Sequence, residues 1–273
     1  MSRFIDRGLA QQLERAEGAV NAGFIEVRQR LAPELGAAWR DFDGTYAMFD
    51  GAGSPITQTF GLGMFAAAGP EQLAAIEQFF AERGADTQHE VSPLAGVETP
   101  ALLVDRGYRP IELSSVLVRP LDGAAGPPGD APAAGLVVRA CGEADRERWV
   151  ATSLAGWSEA AALAGELAEL MRATSQNPRM RCFLVEQDGE PIATGSLAIH
   201  ERIALLAGAS TIPARRGLGA QSLLLAARLD EARRRGCQLA MMAAAPGGTS
   251  QRNAERRGFR VAYTRTKWQR RRA

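Results

Sequence analysis

AGASTIPARRGLGAQSLLLAARL, residues 207–229, carries an apolar strand into a helix through a turn that contains Pro213, Gly217 and Gly219. A turn of this kind leaves the first backbone N–H groups of the helix without intrahelical acceptors. It aims them, with the positive end of the helix dipole, at whatever lies in front. A pyrophosphate suits that place. Gly217 and Gly219 let the main chain approach phosphates closely, in conformations a side chain would oppose, while Arg215 and Arg216 offer charge-assisted donors. The loop has neither the Gly-Lys-Ser/Thr of a nucleoside triphosphate loop nor a Gly-x-Gly-x-x-Gly followed by a ribose-binding acid.

On either side of this stretch the pattern continues as alternating strands and helices. LVVRA (136–140) reads as a strand, and 143–172 as helix broken near Gly156. CFLVEQ (182–187) and PIATGSLAIH (191–200) form a hairpin across Asp188-Gly189, a pair that readily takes the positive φ of tight turns. IALLAGAST (203–211) is a nearly continuous apolar strand. The helix 221–235 turns Leu223, Leu224, Ala227 and Leu229 to the core and is closed by Gly236. QLAMMAAA (238–245) is a buried strand, 250–257 a short helix stopped by Gly258, and FRVAYTRTKW (259–268) a last strand. The order is that of an α/β layer structure with a mixed sheet.

DGAAGPPGDAPAAG (122–135) has no periodic apolar face and reads as a linker. It divides the chain into domains at 1–121 and 136–273, each of ordinary domain size. The first half ends as the second does. LLVDRGYRPIELSSVLVR (102–119) and NAERRGFRVAYTRTKWQR (253–270) both run from a helix end through Arg-Gly-aromatic into a long strand. Upstream, 56–64 reads as a strand, 70–83 as a helix with Pro at its first turn, and 87–91 as another strand. These features make a diverged internal repeat.

Arg216-Gly217-Leu218-Gly219-Ala220-Gln221 follows the Arg/Gln-x-x-Gly-x-Gly/Ala signature of the GNAT (general N-acetyltransferase) superfamily, with Gln in place of Gly or Ala at the last position. With the helix after it, the strand 238–245 and the closing SQRNAERRGFRVAYTR (250–265), the sequence resembles that superfamily over residues 136–268, and more loosely over the first half. The resemblance implies an α/β (α+β) fold: a mixed, mostly antiparallel sheet flanked by helices, in two similar domains, the tandem type with a diverged N-terminal copy. It implies acetyl-CoA as co-substrate, with the main chain of Arg216 to Gln221 on the pyrophosphate and Arg215 beside it. The strand end at Ala209, Ser210 and Thr211 would pair with the pantetheine arm, and Asn253 would help from the last helix. The expected activity is transfer of an acetyl group to an amine, on a small molecule rather than a protein. The alternative is an acyl-CoA-binding regulatory protein without transferase activity.

The family commonly places an acidic tyrosine four residues before the Gly of Gly-Phe, to protonate the leaving thiolate. Here that place is Ala254. Tyr263 is the nearest phenol in sequence and the candidate acid. Glu201, beside His200 at the start of 203–211, is the candidate base. His89-Glu90 reads as a solvated surface pair, and Arg270 to Arg272 as a solvated chain end.

Bulk composition narrows the remaining classes. In 273 residues, 32 basic side chains balance 31 acidic ones, so no net field recruits nucleic acid or an anionic membrane. Cys141, Cys182 and Cys237 are odd in number and widely spaced, and the two histidines lack ligand spacing, which argues against disulfides and a metal site. With no apolar run of membrane-spanning length and no signal-like start, a cytoplasmic protein is expected. Oligomeric state has no signature in the chain.

Overall fold

A computed structural model of the chain describes residues 5–122, 133–158 and 164–272. Most of the 122–135 linker lies outside them, whereas the helix break expected near Gly156 is seen, since the helix from Arg146 ends at Gly156. In chain order the first elements are helix α1 (Arg7–Leu31), strands β1 (Ala38–Phe42), β2 (Thr45–Phe49) and β3 (Gln58–Phe60), helix α2 (Pro70–Ala81), strand β4 (Thr87–Val91), helix α3 (Glu98–Asp105) and strand β5 (Arg109–Pro120). There follow β6 (Leu136–Ala140), α4 (Arg146–Gly156), α5 (Ala164–Gln176), β7 (Met180–Gln187), β8 (Glu190–His200), β9 (Ile203–Thr211), α6 (Ala220–Arg234), β10 (Leu239–Ala244), α7 (Thr249–Glu255) and β11 (Arg260–Arg270). None of the described helices is long and apolar enough to cross a membrane.

The chain forms two compact units. The first is Met1–Leu117 with Ala243–Arg252 and Arg260–Ala273; the second is Val118–Met242 with Asn253–Phe259. This differs from a division at the linker, which would give β11 to the second half. The reason is backbone pairing: β11 lies antiparallel to β4, with Thr266 opposite Val91 and Arg270 opposite Thr87. Its end is held as well, since Arg270 pairs with Glu77 at 2.6 Å and Arg272 donates to the Gly84 carbonyl at 2.9 Å. The expected solvated tail is therefore partly a strand.

In the first unit β1, β2 and β3 make an antiparallel meander, and β4 runs parallel to β3 with α2 between them. The turn at Asp43-Gly44, with φ of 50° and 90°, is the kind that matches strand twist in a hairpin. The long α1 buries Leu13, Ala16, Val20 and Val27 at helical spacing. It is capped by the Asp6 carboxylate, which accepts from the Leu9 N–H at 2.8 Å.

The second unit repeats this plan. Strands β6, β7, β8 and β9 pair antiparallel in succession, and β10 runs parallel to β9 with α6 between. Trp149, Val150 and Met171 of α4 and α5 pack on Cys182 and Leu184 of β7. Burial of each large apolar side chain stabilises the unit by roughly 1.5–3 kcal/mol. The Trp149 indole N–H is satisfied by the Phe183 carbonyl at 3.1 Å. On α6, Leu224 and Leu229 are buried as the periodicity predicts, whereas Leu223 and Ala227 are only partly so; Arg228 is buried with the leucines.

Candidate functional site

Strand β9 is paired on one side with β8 along its length, but its parallel ladder with β10 is short. It consists of Ile203, Ala204 and Leu205 opposite Leu239, Ala240 and Met241. Leu206–Thr211 continue along β8 without further register to β10 among the described residues. A strand edge freed in this way presents unpaired backbone donors and acceptors to a ligand.

The β8–β9 ladder carries an irregularity here, between Thr194 opposite Ser210 and Ser196 opposite Ala207. Gly195 faces Gly208 and Ala209, two residues against one, the count of a β-bulge. Gly208 has a φ of 59°. A Cβ on Gly195 would stand 2.8 Å from Leu224 and 3.1 Å from the Arg228 guanidinium, so only glycine lets α6 lie this close. Arg228 Nη1 donates to the Ser196 and Ala207 carbonyls, at 3.2 and 3.4 Å, and so braces the bulge. Burial alone draws its guanidinium down to about 10.

The strand end is fixed from two further directions. Ser153 Oγ donates to Thr194 Oγ1 at 2.8 Å, which lies 2.9 Å from Ser210 Oγ, a buried chain of hydroxyls. Gly156 leaves room for it: a Cβ there would meet Ser210 Oγ at 2.4 Å. From the other side Gln221 Nε2 donates to the Ser210 carbonyl at 2.9 Å and to Thr211 Oγ1 at 2.8 Å. The Gln221 side chain thus ties the strand to the helix, and what it offers a ligand is its main chain.

Between them the chain turns through Pro213 to Gly219. Gly217 and Gly219 take φ of 83° and 85°, in the left-handed region. Gly219 is the N-cap of α6; no side chain caps the helix and no acidic residue lies in its first turn. The first N–H groups of a 15-residue helix are left to an external acceptor, with the dipole favouring an anion. The loop is steadied by the Leu218 carbonyl, which accepts from the Ala133 N–H at 3.0 Å, and by Arg215, 3.3 Å from Gln187 Oε1. Ala209, Arg215, Arg216 and Gly217 are exposed. All the residues expected to hold a cofactor fall in the second unit, including the exposed Asn253.

Of the expected catalytic pair, Glu201 lies at the other end of β9 from this loop and Tyr263 belongs to the first unit. Glu201 sits in the exposed turn between β8 and β9, with a φ of 52°. The nine residues of β9, at about 3.3 Å each, set it roughly 30 Å from the strand end. Tyr263 lies in the first unit, buried, its hydroxyl donating to Glu14 Oε1 at 2.7 Å. Burial and the neighbouring carboxylate push its phenol well above its ordinary value. His89 and Glu90 are also buried in the first unit rather than solvated. His89 Nδ1 lies 2.7 Å from Thr59 Oγ1 and its Nε2 3.2 Å from the Tyr108 hydroxyl, a packed polar core. The pattern of the sequence did not single out Ser153, Thr194, Gly195 or Arg228. Their only signal was small or charged residues at apolar positions.

The sequence profile of the acetyltransferase (GNAT) family matches residues 148–259. This stretch belongs to the GNAT family. No curated protein is similar enough in sequence to be matched to the chain. Solved structures extend the likeness. A GCN5-related N-acetyltransferase from Kribbella flavida superposes with a TM-score of 0.66 at 18% identity, over 92% of this chain and 96% of that one. A tandem GNAT protein from the clavulanic acid biosynthesis pathway gives 0.61 at 14%, over 91% and 87%. A GCN5-related N-acetyltransferase from Sphaerobacter thermophilus gives 0.59 at 15%, over 78% and 71%. At such identities the likeness is one of fold: a GNAT-like, mostly antiparallel sheet with flanking helices, carried twice.

Proposed function

We propose that the second unit binds acetyl-CoA and transfers its acetyl group to an amine of a small molecule. The observation that carries this reading is the uncapped start of α6 at Gly219, beside the free edge of β9. The main chain of Arg216 to Gln221 would hold the pyrophosphate, with Arg215 adding charge. The edge at Ala209, Ser210 and Thr211 would align the pantetheine arm, and Asn253 would assist from α7. The bound group supplies a thioester at the strand end. The bulge braced by Arg228, the hydroxyl chain through Thr194 and the Gln221 bridge hold that end rigid, so that reacting groups meet in a fixed geometry. Attack of a neutral amine forms the C–N bond and breaks the C–S bond, and the amine's proton leaves with the thiolate as CoA thiol. Leu206–Thr211 bear no ionisable side chain; the amine reaches the site deprotonated from solution or through water. The three free cysteines accord with a reducing compartment, and we place the protein in the cytoplasm.

Titration with acetyl-CoA, followed calorimetrically, tests the reading. Wild type is expected to bind and Gly219→Trp to lose binding, because the indole fills the space over the helix start. Absence of binding by wild type would falsify it. The second reading, a regulatory acyl-CoA binder, is favoured by Glu201 standing in an exposed turn at the opposite end of β9, by the Tyr263 hydroxyl being bound to Glu14, and by the buried Ala254. CoA release with any amine, lost in Gly219→Trp, rules it out.

A further inference from the structure

The second unit holds a cavity of about 480 Å³ that the proposed transfer does not use. Its walls come from the start of α4, the end of α5, the first residues of β7, the last of β8 and the C-terminal end of α6. The acetyl-CoA loop precedes the other end of α6, and 15 residues at 1.5 Å each separate the two by about 22 Å. The cavity also meets the outer edge of β7. The β6 ladder ends at Ala140 opposite Phe183, followed by the Cys141 N–H donating to the Cys182 carbonyl, so Met180 and Arg181 lie beyond it.

Two features give this cavity a chemical preference. The first is charge. Arg146, Arg179, Arg181 and Arg235 line it against Glu143 and Glu231. Glu143 is neutralised by Arg146 at 2.7 Å. Glu231, nearly buried, is shared by Arg181 at 3.2 Å, Arg234 at 2.7 Å and Arg235 at 3.0 Å. Of these, Arg181 and Arg235 line the cavity, and guanidiniums sharing one carboxylate leave an excess of positive charge with donors to spare. The second feature is Asn177, only 3% exposed. Its Oδ1 accepts from the Arg179 N–H at 2.9 Å, while Nδ2 has no partner among the described residues. A buried amide donor without an acceptor is unfavourable, and a ligand oxygen relieves it. The thiols of Cys141 and Cys182 add no negative charge, since burial holds both up at about 12.

We propose that this cavity is a second ligand site, for a small anion bearing a carboxylate or phosphate, whose oxygens meet Asn177 Nδ2 and the guanidiniums of Arg181 and Arg235. It stands on residues separate from the acetyl-CoA loop and does not depend on the transferase reading. The test is calorimetric titration of the full chain with inorganic phosphate and, separately, with citrate. At least one probe is expected to bind saturably in wild type and in Gly219→Trp. Arg235→Glu, at a side chain 53% exposed, is expected to weaken binding at least tenfold, and Asn177→Leu to weaken it in the same direction. Arg40→Glu makes the same charge change on an exposed strand of the first unit and should leave binding intact. The proposal is overturned if neither probe binds, if binding vanishes in Gly219→Trp, or if Arg40→Glu weakens it as much as Arg235→Glu. Should Asn177→Leu fail to fold, the comparison of Arg235→Glu with Arg40→Glu decides alone.

Discussion

Gly195 and Gln221 show how single residues hold the candidate site in shape. A methyl on Gly195 would press on Leu224 and Arg228, and overpacking a filled interior costs about 1–3 kcal/mol. Gly195→Ala is therefore expected to lower the urea midpoint of unfolding. Because Arg228 braces the bulge, it should also weaken acetyl-CoA binding although it touches no ligand. Gln221→Leu removes the two hydrogen bonds to the strand end, each worth about 0.5–1.5 kcal/mol. The fold is expected to survive, with acetyl-CoA affinity reduced several-fold by calorimetry. Unchanged affinity would show that the strand end needs no bridge. Neither effect was legible in sequence. The resemblance gives Gln221 a main-chain role alone, and only the folded structure shows its side chain spent on the strand.

At the scale of elements, α1 and β11 enclose a polar cluster in the first unit that dominates its response to pH. Arg265 is fully buried, 2.9 Å from Glu17, 3.5 Å from Glu14 and 3.6 Å from Glu90. Burial raises the Glu14 carboxyl to about 7 despite Arg265 and the Tyr263 hydroxyl. It lowers His89 to about 3. A carboxyl raised above its unfolded value stabilises the fold most below about 4.5, and the contribution is lost as pH climbs through about 7. Glu90, also raised by burial, acts with the same sign. His89 acts oppositely: it stays neutral when folded, and stability falls as pH drops below about 6.5 towards its folded value. Between roughly pH 4.5 and 6.5 the two effects oppose each other. Glu14→Gln should therefore steepen the acid loss of stability, by up to about 1.4 kcal/mol per pH unit. Denaturant midpoints measured from pH 7 to 4.5 check this; a flatter profile in the variant would reverse the assignment. Arg265→Met leaves buried carboxylates without their cation and is expected to cost about 3–5 kcal/mol.

Across the whole molecule, the second unit was the readable one. Its apolar alternation, the Asp188-Gly189 turn and the Pro-Gly-Gly break before α6 are local signals that coincide with the observed strands, hairpin and loop. The repeat in the first half was also legible, because Gly107-Tyr108 and Gly258-Phe259 mark the same place in both copies, with φ of 81° and 80° at the glycines. What could not be read was the placing of β11, since strand partners far apart in sequence leave no local trace. Its position makes a sharp test of the architecture. In the first unit β11 lies between β4 and β5, so a chain ending at Gly258 would strip β4 and β5 of a shared partner and remove Tyr263, Arg265 and Lys267 from above Glu14, Glu17 and Glu90. A domain boundary at the linker would instead put the damage in residues 136–258. Hydrogen exchange of the truncated chain separates these outcomes. We expect the amides of β2, β3 and β4 to lose protection by orders of magnitude, while β7, β8 and β9, whose ladders need nothing from β11, keep theirs. Loss confined to β7, β8 and β9 would return β11 to the second unit.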